Sequence, residues 1–195
     1  MVACFRRRKP DRPIKAFDKE VYFQLGFQYY VAARFCASSW FSPVAGTLFH
    51  HSVEMFLKGY LSLSLDEAGR IKLGHNLPRI WKKFKAAVAD PGLNAYDNLI
   101  RGLNRFWRVR YPEEMVDKGM VATIGFGNGG SAPASPHGQP VYDLLVGPID
   151  DVVRVICERS SFNMLFFTGG YNKHATEYLE LENLAYLEYK KLHSP

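Results

Sequence analysis

SPVAGTLFHHSVEMFLKGYLSL, Ser42 to Leu63, is the stretch whose spacing decides the fold. Val44, Leu48, Val53, Phe56, Leu57, Tyr60 and Leu61 recur at helical steps, and apolar residues cover so much of the surface that this helix is expected to be the most buried element. Ser42 reads as its N-cap and Pro43 as its first residue, because a short hydroxyl side chain satisfies free N–H groups and proline loses no hydrogen bond in a first turn. Into this apolar helix are set His51, Glu54 and Lys58, at steps of three and four and so on one side. Polar groups that close to a core need partners. A Glu54–Lys58 pair with a histidine bracing a neighbouring helix meets that need, and so does a ligand site. No larger set of converging ligands is evident, so no metal and no cofactor is expected.

Working outward, Phe17 to Ser39 carries Val21, Leu25, Ala32 and Phe35 near helical spacing and is expected to form a first helix. A polar loop from Ser64 to Asn76 leads to a helix over Leu77 to Val88 with Lys82, Lys83 and Lys85 outside, and Asp90-Pro91-Gly92 breaks the chain. Leu93 to Val109 reads as a third helix with Leu99, Leu103 and Phe106 inward, stopping before Tyr111 because that residue precedes Pro112. Met120 to Phe126 and Pro140 to Val146 are β-branched and aromatic runs flanking the glycine-rich Gly127 to Gln139, which predicts a two-stranded hairpin with a long loop, inserted over about 119–147. A helix over Asp150 to Ser160, with Ile149, Val152, Val153 and Ile156 facing in, and a last one over His174 to Leu192, with Tyr178, Leu181, Ala185 and Leu192 as its stripe, complete the chain. The expected fold is mainly α: an up-and-down bundle of four to five helices with a small β-hairpin insertion, one domain over 17–195 behind a basic tail over 1–16.

The 195 residues are 47% hydrophobic and 23% charged, ordinary globular usage that argues against a disordered, collagen-like or coiled-coil chain. Cys4, Cys36 and Cys157 lie far apart, so a disulfide framework is not expected and reduced thiols in a cytoplasm are the default. No apolar run approaches a membrane span, and no apolar stretch follows Arg6, Arg7, Arg8 and Lys9; a soluble cytoplasmic protein is expected. The net charge of +6 is uneven. Residues 70–110 carry about +8 and 111–195 about −5, so the chain is bipolar. The basic stretch fits a polyanionic partner, or the acidic third within the fold or across a dimer. Arg101, Arg105 and Arg108 would form a cationic stripe opposite the apolar face of the third helix, with Arg110 beyond it, and Trp107 and Tyr111 could offer stacking surfaces to bases or simply pack in the core. Gly125 to Gly130 fits G-x-G-x-x-G, but Ser131 to Pro136 cannot open the helix a phosphate-cradling loop requires, so it reads as a loop.

Four motifs in order carry a family resemblance: Tyr29-Tyr30-Val31-Ala32-Ala33 in the first helix, His-His-x-x-Glu-x-x-Leu-Lys at His50 to Lys58, Gly74-His75-Asn76-Leu77, and Arg110-Tyr111-Pro112. In these the chain resembles the HEPN family (higher eukaryotes and prokaryotes nucleotide-binding domain) over roughly Phe17 to Pro112. The resemblance implies a helical bundle that is often a homodimer, binds nucleotide or RNA, and is commonly encoded beside a minimal nucleotidyltransferase. Ribonuclease members carry R-x(4 to 6)-H near the end of the bundle; here the pattern occurs only at Arg70 to His75, in the loop before the fourth motif. Three functions follow as expectations. The first is nucleotide or RNA binding without catalysis, through Arg101, Arg105, Arg108, Arg110, Lys58, His51 and Glu54. The second is a metal-independent endoribonuclease of the toxin type, with Arg70, His75 and His51 as catalytic candidates. The third is an interaction module in which the last helix and the hairpin dock a nucleotidyltransferase.

Overall fold

The computed structural model describes residues 14–127, 135 and 138–193. The basic segment before Ile14 and most of the glycine-rich tip lie outside the described residues. Ten α-helices and two strands make up the rest: α1 (Ile14–Ser38), α2 (Ser42–Leu61), α3 (Glu67–Leu73), α4 (Leu77–Val88), α5 (Asp97–Arg105), α6 (Pro112–Lys118), β1 (Val121–Gly125), β2 (Val141–Leu145), α7 (Val146–Arg159), α8 (Met164–Thr168), α9 (Lys173–Glu180) and α10 (Leu184–His193), with 3-10 turns at Pro91–Tyr96 and Arg108–Arg110. The mainly helical architecture with a small β element stands as expected.

The centre is an antiparallel pair, α1 against α2. Ser52 Oγ donates to the Gly26 carbonyl at 2.9 Å, Phe27 meets Phe56 edge-on at 5.2 Å, and Tyr29 stacks on His51. Two glycines set the approach: a Cβ at Gly26 would lie 2.8 Å from the Phe56 ring, and one at Gly59 would lie 2.6 Å from Phe23. Gly46 does the same on the other side of α2, where a methyl would overlap the Phe106 ring. Gly46→Ala is therefore expected to cost about 1–3 kcal/mol in urea unfolding, since a packed ring has to move; unchanged stability would show that Phe106 shifts freely.

The inward face of α1 is not the one anticipated. Phe23, Phe27, Tyr30, Ala33 and Ala37 are buried, whereas Ala32 and Phe35 are exposed and Val21 and Leu25 half-buried. Aromatics on the adjoining face bury more apolar area, and they win the core. The helix also begins at Ile14, inside the segment assigned to the tail. Ser42 lies within α2 rather than capping it: Phe41 occupies the cap position with no side-chain bond, and Pro43 follows near the start.

Local caps explain what periodicity missed. Asp66 accepts from the Gly69 N–H at 2.7 Å and starts α3 inside the expected loop; Asn76 accepts from the Arg79 N–H at 3.0 Å and starts α4 where expected. The third helix is broken. Pro91 to Tyr96 is a 3-10 turn, α5 ends at Arg105, and α6 follows Tyr111, so no continuous stripe runs from Arg101 to Arg108. The last helix is likewise split into α9 and α10, with α8 before them; Leu179, Tyr186 and Tyr189 are buried, while Leu181 and Leu192 are exposed.

The inserted strands pair in parallel, Val121 opposite Val141 through Gly125 opposite Leu145, and not as a hairpin. A hairpin reverses at a tight turn, whereas the connection over 126–140 is long enough to bring the chain back in the same direction. β2 then runs directly into α7, whose Ile149, Val152, Val153 and Ile156 are buried as expected.

One buried polar network joins the bundle to the C-terminal helices. Arg34 pairs with Asp150 of α7 and donates through Nε to the Tyr178 carbonyl at 2.9 Å and through Nη2 to the Leu181 carbonyl. The Tyr30 hydroxyl donates to Asp150 and accepts from Asn183 Nδ2 at 2.8 Å. Among the described residues no helix is long and apolar enough to cross a membrane.

Candidate functional site

Glu54 is fully buried on α2, where a carboxylate survives only with strong partners. It has them from two directions. Lys58 Nζ, one turn along, lies 2.7 Å from Oε1, and His75 Nδ1 lies 3.0 Å from both oxygens. Burial would raise the Glu54 pKa, but hydrogen bonds and charge from Lys58 and His75 more than offset it, and the group titrates below its ordinary value.

His75 reaches Glu54 because of the turn that holds it. Gly74 ends α3 with φ of 61°, a conformation costly for any residue with a Cβ, and Asn76 caps α4 immediately after. His50 secures the turn to α2, its Nε2 lying 3.1 Å from the His75 carbonyl. A carbonyl only accepts, so that nitrogen carries the proton; burial lowers the His50 pKa to about 4 and keeps the ring neutral.

The third segment arrives from the 3-10 turn at Arg108–Arg110. Arg110 Nη1 lies 2.8 Å from His51 Nε2, and its guanidinium sits 4.5 Å from the centroid of the Trp107 ring. The indole also stacks on His75, with centroids 5.5 Å apart and planes 14° apart. Trp107 thus carries an imidazole and a guanidinium together. Burial lowers the His51 pKa, with Glu54 opposing and Arg110 reinforcing the shift.

Proton positions follow from the donors. Arginine only donates, so His51 Nε2 accepts and the neutral ring holds its proton on Nδ1, 3.8 Å from Glu54 Oε2. His75 Nδ1 faces both carboxylate oxygens and donates, and the ring is half-exposed. His50, His51 and Glu54 place one ligand atom each within 4.8 Å of one another, close enough for a metal ion by distance. The chemistry opposes one: the His51 nitrogen facing Glu54 is protonated, and Lys58 and Arg110 already bring two positive charges. The arrangement suits an anion and a proton acceptor better than a divalent cation.

Of the residues expected from sequence, His51, Glu54, Lys58, His75 and Arg110 converge here. Arg70 does not join His75. Its Nη2 bonds Asp18 at 2.9 Å, its Nη1 bonds the Leu65 carbonyl at 2.9 Å, and its guanidinium lies over Tyr22, bracing α3 against α1. Arg101 is exposed and bonds Asn98, while Arg105 and Arg108 turn toward the β insertion. The sequence gives His50 no role, although it, too, sits one turn from Glu54.

The chain matches no family model, no characterised protein and no solved structure. What fold and site define is a mainly helical protein with a two-strand parallel insertion and a buried carboxylate ringed by imidazoles and cations.

Proposed function

We propose that this protein is a HEPN-like nucleotide- or RNA-binding protein whose ligand phosphate is received at the mouth of the His51–Glu54–His75–Arg110 cluster. The observation that carries this reading is the convergence on Trp107 of the His75 ring and of Arg110, which also bonds His51, from segments far apart in sequence. Arg110 supplies a charged donor, His75 presents a half-exposed ring edge, and the exposed Tyr111, edge-on to Trp107, offers a face to a base. The test is binding of a labelled single-stranded RNA at two salt concentrations. Affinity is expected to fall with salt, and Arg110→Ala to weaken it roughly tenfold or more, the scale of a lost charged hydrogen bond. Equal affinity of the variant would remove this site from the reading.

The Glu54–His75 pair favours a second reading, the metal-independent endoribonuclease. A carboxylate that fixes Nδ1–H leaves Nε2 as a base able to take the proton of a 2′-hydroxyl, and Arg110 is placed for charge developing on phosphorus. On this reading the same RNA is cut in the presence of chelator and His75→Ala abolishes cutting; an intact wild-type transcript would leave binding alone.

A further inference from the structure

A second concave site lies where α5, α6 and the β insertion meet, lined by Asn104, Arg105, Arg108, Lys118, Pro140 and Tyr142, with a volume of about 380 Å³. Its charged lining among the described residues is cationic. Among the described residues, Arg105, Arg108 and Lys118 are exposed cations with no carboxylate partner, and no acidic side chain lines the cleft. Of the α6 acids, Glu113 and Asp117 are exposed and outside the lining. Asn104 Oδ1 accepts the Leu77 N–H at 2.8 Å, which fixes the amide and leaves its NH2 as a further donor. The aromatic floor is already occupied: the Arg105 guanidinium lies 5.2 Å from the Tyr142 ring centroid, and Phe106 packs against the same ring at 5.4 Å.

Three cations around a walled cleft, with no counter-charge among the described residues, hold a repulsion that an anion relieves. With the Tyr142 face covered, nothing offers a base a stacking surface, so the recognised group is the phosphate itself. We propose that this cleft binds a multiply charged phosphate group, either as free pyrophosphate or as the terminal phosphomonoester of an oligonucleotide. The segment 104–110 then serves two sites. Trp107 and Arg110 turn to the histidines, while Asn104, Arg105 and Arg108 turn to Lys118 and Tyr142. The cleft stands on its own donors and does not rest on the histidine cluster binding anything.

The experiment is calorimetric titration of the full chain with inorganic pyrophosphate, and separately with a 5′-phosphorylated and a 5′-hydroxyl oligoribonucleotide of one sequence. Lys118→Glu and Arg108→Glu, both exposed positions, are expected to weaken pyrophosphate binding at least tenfold. Preference for the phosphorylated oligonucleotide that disappears in Lys118→Glu identifies the strand terminus as the source; its absence, with pyrophosphate still bound, identifies the free anion. The proposal is overturned if neither pyrophosphate nor the phosphorylated end binds, or if both charge reversals leave binding intact.

Discussion

Asp150→Ala is expected to destabilise the protein by about 3–5 kcal/mol, because it leaves the Arg34 guanidinium buried without its counter-ion. Arg34 is 1% exposed, and its remaining partners are the Tyr178 and Leu181 carbonyls, which accept hydrogen bonds but carry no full charge. The Tyr30 hydroxyl loses its acceptor at the same time. Urea unfolding measures the loss, and amide exchange should show α9 and α10 loosening first, since Arg34 and Asn183 fasten them to α1. The double variant Arg34→Met, Asp150→Leu removes both charges and is expected to cost far less than the single one. A single variant within 1 kcal/mol of wild type would mean that Arg34 reaches water.

The second large effect is acid sensitivity through His50. Its folded pKa is about 4 against an ordinary 6.5, because burial disfavours the charged ring. Between those values the unfolded chain binds a proton that the folded chain refuses, so stability falls as pH falls. From pH 7 to 4.5 the His50 contribution drops by about 2 kcal/mol. Asp150 runs the opposite way: burial raises it to about 6, so the folded state holds its proton more tightly and stability falls as pH rises through that range. The two are separated by comparing wild type with His50→Gln in urea at both pH values. The stability advantage of wild type should shrink by that amount at pH 4.5; an unchanged difference would place His50 in contact with solvent.

These two groups show what was legible in advance. His50 sits in a motif plain in the sequence, and helical spacing put His51, Glu54 and Lys58 on one face because i, i+3 and i+4 share a side of any helix. That Glu54 and Lys58 pair could be read directly. That Arg110 lies on His51 could not, since it depends on the break at Phe106 that ends α5 and turns the chain into a 3-10 segment. The same break takes Arg108 out of line with Arg101 and Arg105 on α5, which an unbroken helix would have continued to it.

By itself the sequence determined the helical class, the positions of α2 and α4, the existence of α7 though not its start at Val146, the two strands and the polar face of α2, all of which follow from local period and β-branched runs. Tertiary structure alone decided the rest. Which face of α1 turns inward depended on Phe56 and Phe162 waiting on the other side, and the parallel pairing depended on the path of the connection. Arg34 met Asp150, and Arg105 met Tyr142, for the same reason: contacts between residues distant in the chain are set by packing, where the largest apolar area buried and the fewest unpaired buried charges win.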